Sequence, residues 1–358
     1  MFYNDLMTYL LRVNLDINAS NIGGNLRFQN TLKGIRLVSK RSNRVVILAH
    51  RGRPSGRDKK LSLKHFVSPL SKGLGKRVVF INSFDFPKIA KRIVQSPNGS
   101  VFLLENLRFL KGEFGADKSL AKSLATLGDR FINDDFPTSH HKNTSNFELP
   151  KLLPSSVGPN FKMELEKLDK VMRHPRKPIV LVIGGAKIKD KLGVVKNFLP
   201  KANSILLGGA PANTVLKARG VHIGKSLYDQ GTFSQIKRFA MEEKLVTPID
   251  WEVKKEAILD IGPETIKLYT KIIQGAGTIV WNGPMGKFED KPFDRGTKAL
   301  YRAILAQKGA NILIGGGDTL AAIPLPRKLR KNLFISGGGG AMLTYLSGAK
   351  LPALEAIK

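Results

Sequence analysis

The sequence predicts an α/β protein: two doubly wound, Rossmann-like parallel-sheet domains joined by a connecting helix, with a central cleft. Three observations predict it. Short, near-continuously apolar, β-branched runs alternate with helix-length stretches along the chain, as parallel strands covered on both faces do. Those runs form two series, divided by the Pro/Ser/Gly-rich stretch Pro154–Asn160. A chain of 358 residues also exceeds what one average core accommodates.

The first series of candidate strands is Leu10–Ile17, Val45–Leu48, Val78–Ile81, Val101–Leu104 and Phe131–Asn133. The second is Ile179–Ile183, Ile205–Leu207, Thr278–Trp281, Ile312–Ile314 and Leu333–Ile335. Between them Phe161–Arg173, FKMELEKLDKVMR, reads as the connecting helix. The expected division is an N-terminal domain over 1–158, a helical hinge over 159–175 and a second domain over 176–335. A last helix and tail, 336–358, are expected to return toward the first domain. Ligands of such folds bind outside the carboxyl ends of the strands, which is where the cleft is expected.

Composition narrows the chemistry. With no cysteine, disulfides and thiolate catalysis are excluded, and a reducing cytoplasm suits the chain. A 42% hydrophobic content argues against disorder, and no apolar run approaches the length of a membrane span. The N-terminal residues lack the basic and small-residue pattern of a secretory signal. The net charge of +31 is unusual. Its basic residues are scattered, with short clusters at Lys40–Arg44, Arg51–Lys60 and Arg327–Lys331, and no aromatic-basic interleaving of single-strand binders accompanies them. A generally basic surface is the first reading; a field for polyanions is the second.

Four strands of the second series run directly into glycine-rich turns. These are Gly184-Gly185-Ala186-Lys187 through Lys191, Gly208-Gly209-Ala210, Gly315-Gly316-Gly317-Asp318-Thr319, and Ser336 followed by Gly337–Gly340. Glycine lets the backbone approach a ligand, and the following helix offers free N–H groups to phosphate. One such turn needs only a steric explanation, whereas four in one domain point to a nucleotide. Lys187 and Lys191 are spaced as one helical turn. No GxxxxGK[ST] occurs, which excludes an ordinary P-loop.

In order along the chain, LLRVNLDIN, HRGRPSG, LLENLRF, NDDFPTSH, GGAKIKDK, DIGPET, VWNGPMGKFE, RGTKAL, IGGGDT and GGGGA resemble the signature segments of the phosphoglycerate kinase family. The resemblance covers nearly the whole chain. It implies reversible phosphoryl transfer between 1,3-bisphosphoglycerate with MgADP and 3-phosphoglycerate with MgATP, in glycolysis and gluconeogenesis, by a cytoplasmic monomer. It further implies that Lys187 follows the transferring phosphoryl group with Lys191 in support, and that Asp318 is the protein ligand of the magnesium nucleotide. Thr319, Gly316 and Gly317 would cap the phosphates, Asn282 would line the phosphate path, Glu289 would bind ribose hydroxyls, and Gly184 and Gly209 would complete the nucleotide site. In the first half it assigns the acidic substrate to Arg27, Arg53 and Arg108 with His50 beside them, Arg27 stabilising the migrating group. Arg51 is an additional cation there, and His140 and His141 stand at the substrate anion. A buried ion pair with Glu105 or Glu113 is the competing role for Arg108.

Several positions depart from the family pattern. Where the family reads RVDxNxP, this chain has Arg12-Val13-Asn14-Leu15-Asp16, with acid and amide exchanged; on a strand the two would share one face and still bind substrate hydroxyls. His140-His141 replaces His-Arg, a titrating ring for a permanent charge. Asp135 and Pro137 replace Ala and Gly, Ala210-Pro211 replaces Gly-Met, and Thr344 replaces a glutamate. The chain is also short between Leu245 and Asp260, beside the expected base pocket. With the charge, these departures motivate an alternative: a catalytically weakened relative that binds RNA or another polyanion.

Overall fold

The computed structural model describes residues 7–17, 22, 25–39, 43–326 and 328–357; Asn18 of the first motif, Lys40, Arg41 and Arg327 lie outside them. The chain divides into two compact units, Met1–Leu165 with Lys350–Lys358, and Glu166–Ala349. Among the described residues, no helix is long and apolar enough to cross a membrane.

The first unit is built on β1 (Thr8–Arg12), β2 (Arg44–Leu48), β3 (Val78–Ile81), β4 (Val101–Leu104), β5 (Arg130–Asn133) and β6 (Ser155–Val157). They form one parallel sheet in the order β3-β4-β2-β1-β5-β6. Alternate residues feed two cores. Leu11, Val45, Ile47, Val101 and Leu103 pack on one face, and Leu10, Val46, Leu48, Phe102 and Phe131 on the other. Burial on both faces is why these strands read as continuous apolar runs.

The second unit contains β7 (Ile179–Ile183), β8 (Ser204–Leu207), β9 (Leu245–Val246), β10 (Trp251–Lys254), β11 (Ala257–Ile261), β12 (Thr278–Asn282), β13 (Asn311–Gly315) and β14 (Leu333–Ser336). Six of them make a parallel sheet in the order β14-β13-β12-β7-β8-β9, the arrangement of a dinucleotide-binding sheet with its switch point between β7 and β12. Every residue of β7 and of β12 is buried. Strands β10 and β11 form a separate antiparallel hairpin.

Three expectations change here. The first strand stops at Arg12 instead of reaching Ile17. Beyond it Asn14 Oδ1 accepts the Asp16 N–H at 3.1 Å, an Asx turn that takes the backbone out of the ladder. The stretch 154–160 contains the edge strand β6 and the start of the Pro159–Arg173 helix. The segment before Asp260 holds β9 and the hairpin, whose turn residues Lys255 and Glu256 have φ of 51° and 65°. Two-residue hairpin turns of that hand favour Asn-Gly or Asp-Gly, so Lys-Glu gives no sequence signal.

The Pro159–Arg173 helix is anchored at its start by Asp134, just past β5. Asp134 Oδ1 accepts the N–H of Asn160 at 2.7 Å and of Phe161 at 3.1 Å, and Oδ2 accepts from the Asn160 side chain at 2.6 Å. Burial outweighs these bonds and pushes the Asp134 carboxyl up to about 6.

Candidate active site

In the first unit the relevant side chains gather at the carboxyl ends of the adjacent strands β1 and β5. Arg12, the last residue of β1, is fully buried. Its Nη1 lies 2.9 Å from Asp135 Oδ2, its Nε donates to Ser145 Oγ at 2.8 Å, and its Nη2 lies 2.8 Å from His50 Nδ1. A guanidinium can only donate, so His50 accepts at Nδ1 and carries its hydrogen on Nε2. Burial, and then the Arg12 charge, hold His50 well below the ordinary histidine range, so the ring is a neutral donor. Its Nε2 faces the half-exposed Asp16 carboxylate at 3.9 Å.

Glu113 completes this buried network, at 3.8 Å from Arg12 Nη2. It accepts from Ser145 Oγ at 2.6 Å, and Ser145 is held by a single π turn over Thr144–Glu148. Burial raises the Glu113 carboxyl. Asp135 has more donors, from Arg12, from Asn14 Nδ2 at 2.9 Å and from Thr138 Oγ1 at 2.7 Å, and stays below the usual carboxylate range despite burial.

Around this core stand the predicted anion binders. Asn25 caps the Leu26–Val38 helix and so places Arg27, whose Nη1 donates to the Asp16 carbonyl at 2.9 Å. Arg108 Nη1 donates to the Gly52 carbonyl at 2.6 Å and its guanidinium lies 5.2 Å over Phe114. The competing role for Arg108 does not hold. Glu105 is taken by Ser62 Oγ and the Leu63 N–H, and Glu113 by Arg12 and Ser145. Arg53 is exposed, and Arg51 donates to the Lys60 carbonyl at 2.8 Å. His140 and His141 stack with centroids 3.8 Å apart. Burial, then the charges of Arg108 and Arg53, lower His141; burial with His141 lowers His140 to about 4. Asn14 and Asp16 fall outside the strand, so the shared strand face expected for them is replaced by a turn. That turn aims Asp16 Oδ1 at the Gly52 N–H, 2.8 Å away.

In the second unit the glycine turns are laced together by backbone hydrogen bonds. Gly184 N–H donates to Asn282 O at 3.0 Å, Gly185 to Pro284 O at 2.7 Å, Gly209 to Met285 O at 2.9 Å and Ala210 to Gly185 O at 3.0 Å. At Gly184 a β-carbon would be driven into the Pro284 carbonyl oxygen. Gly316 has φ of 105° and sits against Asn282 Nδ2, so two separate constraints demand glycine there.

Above this floor is a cavity of about 520 Å³ lined by Gly185, Ala186, Gly209, Asp318 and Glu289, with a wall of Leu227, Ile258, Leu259 and Phe288. The hairpin β10–β11 therefore supplies part of the apolar wall. Lys191 is buried below, its Nζ donating to Gly184 O at 2.7 Å; burial lowers its pKa against the opposing pull of Asp318. Lys187 is exposed in the turn ahead of the Lys189–Phe198 helix, so the two lysines do not share a helical face as their spacing suggested. Thr319 also differs from expectation. It is fully buried, and its hydroxyl accepts from the Gly283 N–H at 2.6 Å and donates to Gly315 O at 2.9 Å, tying turns together instead of facing the cavity. Asn282 Nδ2 donates to Gly315 O at 2.8 Å in the same layer, and Gly317 is exposed beside Asp318.

Arg12, Asp135 and the apolar wall were not anticipated as site residues. A lone arginine inside the apolar run LLRV is the signal that marks Arg12. The wall comes from three distant segments, and no local pattern announces it.

The phosphoglycerate kinase family model matches residues 7–349. A phosphoglycerate kinase of Pelotomaculum thermopropionicum is 36% identical over 97% of this chain and 95% of its own length. One of Thermosipho africanus is 38% identical over 96% and 92%. Among solved structures, phosphoglycerate kinase from Coxiella burnetii superposes with a TM-score of 0.82 at 34% identity, covering 98% of this chain and 96% of that one. The Pyrococcus horikoshii enzyme gives 0.84 at 29% identity with the same coverage.

Proposed function

This chain belongs to the phosphoglycerate kinase family, and from that premise we propose how its residues share the work. The chain is a phosphotransferase that exchanges a phosphoryl group between 1,3-bisphosphoglycerate with ADP and 3-phosphoglycerate with ATP. The polyanion-binding alternative has no support in the relatives, which are named as kinases.

In this proposal the second unit holds the nucleotide. The observation that carries it is the cavity in which a glycine floor, Asp318 and Glu289 meet the apolar wall of Leu227, Ile258, Leu259 and Phe288. The wall suits a base, the exposed Glu289 carboxylate suits ribose hydroxyls, and the Gly184–Gly185 and Gly209 backbone suits phosphates. Asp318 presents one exposed carboxylate to the cavity. Among the described residues, no three His, Asp or Glu side chains converge to hold a metal by themselves. Magnesium would come with the nucleotide substrate, where Asp318 would be its protein ligand and the ion would neutralise phosphate charge. Lys191 holds the Gly184 turn, and Lys187 supplies the cation for the transferring group.

The first unit holds the acid. Arg27, Arg53 and Arg108, with Arg51 at the periphery, offer cationic donors to the phosphate and carboxylate, and His141, lowered by burial and by Arg108 and Arg53, adds a neutral ring beside them. His50 Nε2–H and the Asp16 carboxylate form a donor–acceptor pair suited to the substrate hydroxyl. We divide the work as acid domain 1–158 and nucleotide domain 176–335, with 159–175 as joint and 336–358 as closing segment; the compact units break instead at 165/166 and give 336–349 to the second unit. We take the enzyme to work as a cytoplasmic monomer on small-molecule substrates.

Steady-state kinetics with 3-phosphoglycerate and MgATP test these roles. Lys187→Ala and Arg27→Ala each lower kcat by about 100- to 1000-fold while circular dichroism is unchanged. Wild-type turnover in either variant removes that residue from the mechanism.

A further inference from the structure

We propose that Asp135 is a positioning residue of the acid site, supplying the buried carboxylate that fixes Asn14 and, through Asn14, the exposed Asp16. The inference rests on the assignment of the acid to the first unit.

The register of the sheet sets the geometry. Arg12 of β1 is paired with Asn133 of β5, so the positions two residues further on, 14 and 135, leave the strand ends side by side. Asn14 Nδ2 donates to Asp135 Oδ1 at 2.9 Å. With its NH₂ held there, the Asn14 carbonyl oxygen is turned to the Asp16 N–H at 3.1 Å. That turn presents Asp16, whose Oδ1 accepts the Gly52 N–H at 2.8 Å and whose other oxygen faces His50 Nε2 at 3.9 Å. Asp135 Oδ2 meanwhile meets Arg12 Nη1 at 2.9 Å, the same guanidinium that fixes the His50 tautomer. Both members of the hydroxyl-binding pair, Asp16 and His50, are thus oriented through Asp135.

Charge balance gives the second half of the argument. A fully buried guanidinium requires a carboxylate in contact. Glu113 is farther from Arg12, at 3.8 Å, and burial pushes it toward neutrality, whereas the donors around Asp135 keep that group ionised. Asp135 is therefore the counter-charge. Because positions 14 and 135 share one pocket, a carboxylate at either one serves Arg12, and an amide or small residue is needed at the other. The acid lost at 14 then reappears at 135 as the counter-charge of Arg12, and the acid at 16 is a separate gain that faces the substrate side.

The test is a mutant cycle: Asp135→Ala, Asp135→Asn, Asn14→Asp, and Asn14→Asp combined with Asp135→Ala. KM for 3-phosphoglycerate and for MgATP is measured separately in each. The single variants raise the acid KM by about tenfold or more with the nucleotide KM within about twofold, and the double variant returns the acid KM to within about threefold of wild type. A wild-type acid KM in the Asp135 variants, or a double variant no better than the singles, overturns the proposal. Should a single variant fail to fold by circular dichroism, the double variant decides: a recovered acid KM supports relocation, a raised one refutes it. Asp16→Ala is measured in parallel. If it raises the acid KM while the Asp135 variants do not, only the role of Asp135 falls; if it leaves the acid KM unchanged, the assignment of the acid site falls and this inference with it.

Discussion

The two units hold their ligand-facing groups by different means. The first uses charged and amide side chains, Arg12, Asp135, Asn14, Glu113 and His50, locked to one another in a buried network. The second uses main chain, with the segments Gly184–Gly185, Gly209–Ala210 and Asn282–Met285 cross-bonded to one another, and side chains mostly beneath or around them. A side-chain network can be rewired, because a lost charge at one position can reappear at a neighbour. A main-chain floor has less freedom, because a β-carbon added at a position such as Gly184 collides with the Pro284 carbonyl. The departures from the family pattern are densest on the side-chain network, at 14, 16, 135, 137 and 141; the second unit keeps Lys187, Glu289, Asp318, Gly184 and Gly209 and departs at Ala210-Pro211 and Thr344.

The largest effect expected from this contrast is on the network. Arg12→Ala leaves Asp135 and Glu113 buried without their cation and costs about 3–5 kcal/mol, read as a lower urea midpoint. A change below about 1 kcal/mol would mean that the network is not stabilised as a charged set. Next is the floor. Gly184→Ala forces a β-carbon against the Pro284 carbonyl, at a cost of about 1–3 kcal/mol, and raises the nucleotide KM with the acid KM unmoved. An equal rise in both would remove the distinction between the two sites.

Counted per pH unit, the smallest effect is a pH dependence at the edge of the nucleotide cavity. Asp260, on the hairpin beside Leu259, accepts the Gly296 N–H at 2.8 Å and the Ile261 N–H at 2.9 Å. Burial nevertheless raises it from 3.8 to about 7. Between those values the folded chain carries a proton that the unfolded chain has lost, so this group's contribution to stability falls as pH rises from about 4 to 7. Its slope is at most about 1.4 kcal/mol per pH unit. Asp260→Asn removes the slope, and the difference in Tm between variant and wild type should shift in the variant's favour as pH rises. A difference independent of pH would place the Asp260 pKa near its ordinary value.

Sequence alone gave the two parallel sheets, because strands buried on both faces are written as unbroken apolar runs such as IVLVI in β7. It also located the glycine turns, since a residue without a side chain has few other uses at a strand end. Edge strands β6 and β9 were not legible, being two or three residues long and, in β6, largely polar. The hairpin escaped because Lys255-Glu256 occupies a turn usually written with glycine. Asp135 could be seen as a departure from pattern, but its role needed the register that sets it beside Asn14. Thr319 and Lys191 were placed at phosphates by motif, whereas their hydrogen bonds put them under the turns that would do the binding.

The first unit includes residues 350–358, with the Ala353 N–H bonded to Ser139 O and Ala353 fully buried. During synthesis those residues emerge only after the whole of 166–349. The second unit can therefore complete its contacts while the first, made earlier, still lacks a piece. Domains generally fold in the order in which they leave the ribosome. Here the order of translation and the order of completion run in opposite directions, and the nascent chain carries its unfinished, charge-lined half until the end.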